Sequence, residues 1–225
     1  MLTLLSPAKK LDMTAADTPV SVTQPRLLDD MNELAGVAKT QSADDLKRLM
    51  HISDNLATIN FERFKAFNLD NRGNTAKPAG FAFDGDVYWG LEAESLTEDT
   101  LTYAQDHLRI LSGLYGVLRP MDAIQPYRLE MGTKMANRRG KSLYDFWGAR
   151  IADHLNKDLA EHSDTTLVNL ASNEYFKAVD TKTLGQPVIA AKFLNIKGGE
   201  ARSLMYPSLI HISEPTRPER IACAG

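Results

Sequence analysis

The sequence predicts an α/β protein: one domain in which helices surround a single mixed sheet. Three observations lead there. Short apolar runs at residues 1–5, 108–111 and 166–170 alternate with longer stretches whose apolar residues recur every three or four positions. Of the 225 residues, 43% are hydrophobic and 24% charged, which suffices for one substantial core and lies outside the range of disordered chains. No internal repeat and no clear linker divides the chain.

Each element has a local reason. Residues 1–5 (MLTLL) read as a buried strand that stops at Ser6-Pro7, where proline ends the ladder. Residues 13–25 are polar, with two prolines, and read as surface loop. Leu27, Leu28, Met31, Leu34, Ala35 and Ala38 carry helical spacing through 26–39. Ser42 followed by Asp44 and Asp45 reads as an N-cap with acids in the first turn, and Ser53-Asp54 as a second start. In FAFDGDVYWGL, Asp84-Gly85 offers a hairpin turn. Thr97 opens another helix, 108–111 is a strand, and Gly113 and Gly116 break it. Residues 143–159 predict one long amphipathic helix. A strand at 166–170, a short helix at 173–179 and a strand at 187–194 complete the pattern.

Charge is unevenly spread. The net charge is −3, which excludes a wholly basic nucleic-acid binder. Between Arg109 and Arg150, however, eight Lys/Arg stand against three acids, a window of +5 that leaves −8 for the remainder. Within it, Gly113 and Gly116 permit close approach of the backbone, and Arg119 and Arg128 lie on irregular chain beside Glu130. Guanidiniums suit bidentate phosphate contacts. Lys9 follows the first strand, where open α/β sheets place their sites, and Ser172, Asn173 and Glu174 follow another strand. The expectation is one anion-receptive cleft formed by Lys9, Arg109, Gly113, Tyr115, Gly116, Arg119, Tyr127 and Arg128. Tyr115, Tyr127 or Trp89 would stack on an unpaired base. Equally, these glycines can be simple turns, Glu130 an internal ion-pair partner, and Ser172 or Asn173 a helix cap.

Other chemistries find little. Phosphate-cradling glycine loops, HExxH and GxSxG are absent, and the five histidines show no paired metal-ligand spacing, so neither metal nor cofactor is expected. One cysteine, Cys223, cannot form a disulfide within the chain. No apolar run is long enough to span a bilayer, and the N-terminus lacks a signal-peptide pattern, so a cytoplasmic location with no membrane partner is expected. Residues 52–64 (ISDNLATINFERF) weakly resemble a helix-hairpin-helix with its turn around 57–60, though a continuous helix through 53–66 reads as well.

At LLSPAKKLD, LMHISDNLATIN, FDGDVYWGL, HLRILSGLYGVLRPMDAIQPYRLEMG, LYDFWG and NLASNEYFKAV, the chain resembles the YaaA family of bacterial peroxide stress resistance proteins. The resemblance covers about residues 1–195. It implies a family-specific α/β fold with a helix-hairpin-helix-like element, a role in limiting intracellular free iron under peroxide, and non-sequence-specific DNA binding through a basic cleft. No established reaction comes with it. Its matching positions include Lys9, Asp86, Tyr88, Gly113, Tyr115, Gly116, Arg119, Pro120, Tyr127, Arg128, Glu130, Asn169, Ser172, Glu174 and Tyr175. Residues 1–205 are thus expected to form a YaaA-like domain that departs from the family at its C-terminal end, with 206–225 a disordered or artefactual tail. Beside DNA binding stands an enzyme acting on a nucleotide or nucleobase in the same cleft, with Lys9, Glu130 and Glu174 as catalytic candidates.

Overall fold

Four residues, Leu2–Leu5, form the central strand β1 of a five-stranded sheet, and three of them are buried because the sheet is covered on both faces. The computed structural model describes residues 1–70, 76–191, 194–197 and 200–203, the last two stretches as backbone only. After β1 come the short strand β2 (Lys10–Leu11) and helices α1 (Leu28–Lys39), α2 (Ala43–Met50) and α3 (Asp54–Ala66). Then follow β3 (Lys77–Pro78), α4 (Ala79–Ala82), β4 (Phe83–Asp84), α5 (Asp86–Leu91) and α6 (Glu98–His107). The chain returns to the sheet as β5 (Leu108–Ser112) and β6 (Gly116–Leu118), with β7 (Ala123–Ile124) beyond. Helices α7 (Leu143–Trp147) and α8 (Arg150–Leu159) lead to β8 (Leu167–Asn169). Helices α9 (Asn173–Phe176) and α10 (Thr181–Leu184) lead to β9 (Val188–Ala190), and β10 (Leu194–Lys197) and β11 (Glu200–Ser203) form a separate pair.

The sheet order is β6-β5-β1-β8-β9. Strands β5 and β8 flank β1 in parallel, β9 runs parallel to β8, and β6 returns antiparallel to β5. Successive crossovers therefore leave β1 on opposite sides, which opens a crevice beyond its carboxyl end.

The α/β class and the mixed sheet agree with the sequence. Ser42 caps α2 in a reciprocal box with Asp45, and the Ser53 and Thr97 side chains accept from Leu56 N–H and Thr100 N–H. Of the two readings of residues 52–64, the continuous helix is the one observed: the stretch through Ala57–Asn60 is uninterrupted helix, with no hairpin there. The fully buried Asn60 donates its amide to the Leu56 carbonyl inside α3, and the turn between α2 and α3 falls at 51–53. Two local expectations are corrected. Asp84-Gly85 is not a hairpin turn: β4 pairs with β2, and Gly85 is the N-cap of α5. The helix expected over 143–159 breaks at Gly148, whose φ of +47° favours glycine. The expected tail at 206–225 lies outside the described residues.

One large core cluster is joined by a smaller one around Phe81, Ala93, Leu101 and Met121. Trp147, Tyr115, Phe64 and Phe146 are fully enclosed with Leu2, Leu4, Met31, Leu34 and Ile110, each such side chain contributing about 1.5–3 kcal/mol. Beside it lies a buried ion pair. Arg109 Nε donates to Asp158 at 2.6 Å, and its Nη1 donates to the carbonyls of Gln105 and Leu108. Arg26 pairs with the other Asp158 oxygen. Burial lowers the Arg109 pKa, Asp158 opposes that shift, and the guanidinium stays charged. Removing the shared carboxylate strands one guanidinium in the interior. Asp158→Ala should therefore cost about 3–5 kcal/mol, read as a lower urea midpoint at unchanged slope, while Arg26→Ala costs less because that side chain reaches solvent.

Candidate functional site

The chain leaves β1 as Ser6-Pro7-Ala8-Lys9 and leaves β8 as Leu170-Ala171-Ser172, and the two exits touch. Ser172 N–H donates to Ser6 Oγ at 2.9 Å, and the two hydroxyls lie 3.3 Å apart. The buried Tyr88 hydroxyl donates to the Ser6 carbonyl at 2.8 Å. Asn169 accepts from Ala171 N–H, closing the turn after β8.

A third segment, 127–132, forms the opposite wall and is placed by Gly113. A Cβ on Gly113 would lie 2.2 Å from the Leu129 carbonyl oxygen, so only glycine lets the turn after β5 pass beneath this segment. Ser112 Oγ and Tyr127 Oη lie 2.7 Å apart, Tyr115 N–H donates to Ser112 Oγ, and Trp147 Nε1 donates to the Gly113 carbonyl. Gly116, at φ +73°, packs under the Trp147 ring. Arg128 and Glu130 thereby project beside Lys9.

The resulting crevice is narrow, about 20 Å³, lined by Pro7, Lys9, Phe83, Tyr127, Arg128, Glu130 and Tyr175. Glu130 also lines a second hollow of about 500 Å³ with Arg48, His51, Lys134 and Glu174, which makes the two adjoining. Arg128 Nη2 donates to Glu130 at 2.7 Å, and the exposed Lys9 ammonium lies 3.7 Å from the same carboxylate. Arg128 Nε is buried without a partner. Arg63 on α3 stands close enough that Arg128, after burial, lowers its pKa. Glu174 accepts from Gly132 N–H, and its own carbonyl accepts from Tyr144.

Lys9, Tyr127, Arg128, Glu130 and Glu174 therefore belong to adjoining hollows. The single convergence expected of the central arginines is corrected. Arg109 is buried against Asp158. Arg119 is held by Asp122 and the Gln24 carbonyl, and Arg139 by Asp30 and Glu33. Gly113 and Gly116 admit the protein's own backbone and the Trp147 ring, not an outside ligand. Tyr115 and Tyr127 are enclosed, with burial raising both hydroxyl pKa values, so neither offers a free face for a base. Trp89 is exposed but ties its indole N–H to Asp84 in another hollow. Sequence reasoning gave no role to Arg48, His51 or Lys134. A signal lay in LMHIS, where His51 takes the left-handed conformation (φ 52°) that ends α2.

Fold and crevice define an α/β protein whose candidate site lies at the carboxyl edge of a parallel sheet. Residues 1–207 match the family described as peroxide stress protein YaaA, and the chain belongs to that family. Among its relatives, a UPF0246 protein of Caulobacter vibrioides is 56% identical over 204 residues, covering 91% of this chain and 79% of its own. A UPF0246 protein of Phenylobacterium zucineum is 52% identical over 206 residues, covering 92% and 77%. One from Saccharophagus degradans is 50% identical over 206 residues, covering 92% and 80%. Among the described residues, no helix is long and apolar enough to cross a membrane.

Gly113 generates a direct test. Gly113→Ala must push the 127–132 wall outward and should lower stability by about 1–3 kcal/mol. Gly36, inside α1 with open space where a Cβ would go, is the control: Gly36→Ala should raise stability by roughly 0.5–1 kcal/mol. Thermal unfolding of the two variants reads both signs.

Proposed function

We propose that this peroxide stress protein binds the phosphate backbone of DNA in the adjoining hollows, without sequence specificity, and limits free iron indirectly through that binding. One observation carries the reading: Lys9 and Arg128 share a single carboxylate, Glu130, while Arg63 crowds Arg128 and Arg128 Nε has no partner. Cationic donors exceed the acceptors that face them, and an anion would use the surplus. Lys134, and Arg48 in its pair with Asp45, line the adjoining hollow. Contacts of this kind position the duplex and carry no base readout.

A second reading has its own support. Lys9 stands beside Glu130, and Glu130 also lines the adjoining hollow of about 500 Å³, which has room for a nucleotide whose proton transfers those two groups would share.

A salt-series DNA titration separates them. Binding should fall as salt rises, and Lys9→Ala and Arg128→Ala should each reduce the log–log slope by about 0.7–0.9. A flat salt response that neither variant changes overturns the DNA reading. If the same variants instead weaken a mononucleotide, the enzymatic reading takes its place.

A further inference from the structure

The carboxyl edge of the sheet holds the crevice. The opposite edge holds a pair of imidazoles that no function above employs. His107 ends α6 immediately before β5 begins, and His162 lies in the turn that leads from α8 into β8. Because β5 and β8 start level with the beginning of β1, where Leu108 is opposite Thr3 and Leu167 opposite Leu2, the two histidines meet across the amino edge of the sheet. They are far apart in sequence, which is why ligand spacing along the chain does not reveal them.

Their rings lie 4.8 Å apart, centre to centre, at 85°. A first-row ion about 2.0–2.1 Å from an imidazole nitrogen stands roughly 3.1 Å from that ring's centre. Two imidazoles on one ion at about 90–110° then have centres roughly 4.4–5.2 Å apart. The observed separation falls inside that interval.

The His107 ring is oriented by the main chain. The Tyr103 carbonyl accepts from His107 Nδ1 at 3.0 Å, and the Tyr103 ring stacks on His107 with centres 4.0 Å apart. This leaves Nε2 with its lone pair available. An imidazole that gives one N–H to a carbonyl and keeps the other nitrogen unprotonated is arranged as metal-ligating histidines are. Both residues are half-buried, so water can complete the coordination.

We propose that His107 and His162 form a two-imidazole site for a borderline divalent cation, zinc or copper(II). Two nitrogen donors select these ions over magnesium or calcium, and the order of divalent affinities places copper and zinc above iron(II) and manganese. With only two protein ligands the ion remains exchangeable and open to solvent. The site is independent of the DNA reading, since it lies at the other end of the strands.

Calorimetric titration of the full chain with zinc and with copper(II), in a non-chelating buffer, tests this. Saturable binding near one ion per chain is expected. Loss of an outer partner to a metal-bound histidine already costs about 10–100-fold. His107→Gln and His162→Gln should therefore each weaken binding by more than about tenfold, with His51→Gln leaving it unchanged. Ring-nitrogen NMR supplies a readout that a structural role would not move: zinc should shift the His107 and His162 resonances together and leave His51 and His154 in place. The proposal is overturned if binding is absent, if it persists in the double variant, or if zinc moves only one of the two rings.

Discussion

The crossing of residue 113 beneath Leu129 is the constraint from which the rest of the site follows. A carbonyl oxygen occupies the place of the missing Cβ, so the turn after β5 and the 127–132 segment cannot separate or slide without losing their fit. Several polar groups at the crossing bond one another. Ser112 bonds both the Tyr127 hydroxyl and the Tyr115 amide, Tyr115 Oη accepts from Gln125 N–H, and the Gly113 carbonyl takes the Trp147 indole. These are buried hydrogen bonds, and each left unmade would cost about 1–3 kcal/mol. Such a network fixes Arg128 and Glu130 on irregular backbone as firmly as a helix would.

Electrostatics explains why the site is smaller than the charge distribution along the chain implies. The +5 window is real, but folding gives several of its cations carboxylate partners, Asp122 from within the window and the others from elsewhere. Asp158 takes Arg109 and Arg26, Asp122 takes Arg119, and Asp30 with Glu33 takes Arg139 while also meeting Arg150. The −8 remainder is thus partly the counter-charge of the window. What stays in excess is the set around Glu130, where one carboxylate serves two cations and Arg63 adds a third.

What the sequence disclosed, and what it did not, divides along the range of the interactions. Caps at Ser42, Ser53 and Thr97 and the strands at β1, β5 and β8 are decided by residues a few positions apart, and these were legible. The break at Gly148 was hidden because the apolar period runs through it, and only the positive φ interrupts the helix. Residues 83–86 were misread because the partner of β4 is β2, more than seventy residues upstream, not the chain just beyond Gly85. At the site, Lys9 and Glu130 could be nominated from strand ends and motif position. Their meeting depends on Gly113, whose neighbour Leu129 is set by the tertiary fold. The roles of Arg109 and Arg119 were invisible for the same reason: a guanidinium on paper carries no record of the carboxylate that will face it.

The polarity of a parallel sheet gives these observations their common logic. Strands β1, β5 and β8 begin together and end together, so the connections into these three strands gather at one edge and the connections out of them at the other. At the carboxyl edge the exits bring Ser6, Ser172 and Lys9 together, and the 127–132 wall, lying against the β5 exit, adds Arg128 and Glu130. At the amino edge the entries bring together the end of α6 and the turn after α8, with their two histidines. Neither group is contiguous in sequence, and neither needs a dedicated loop. Chemical groups drawn from distant parts of the chain meet because the register of three short buried strands leaves them no other place to be.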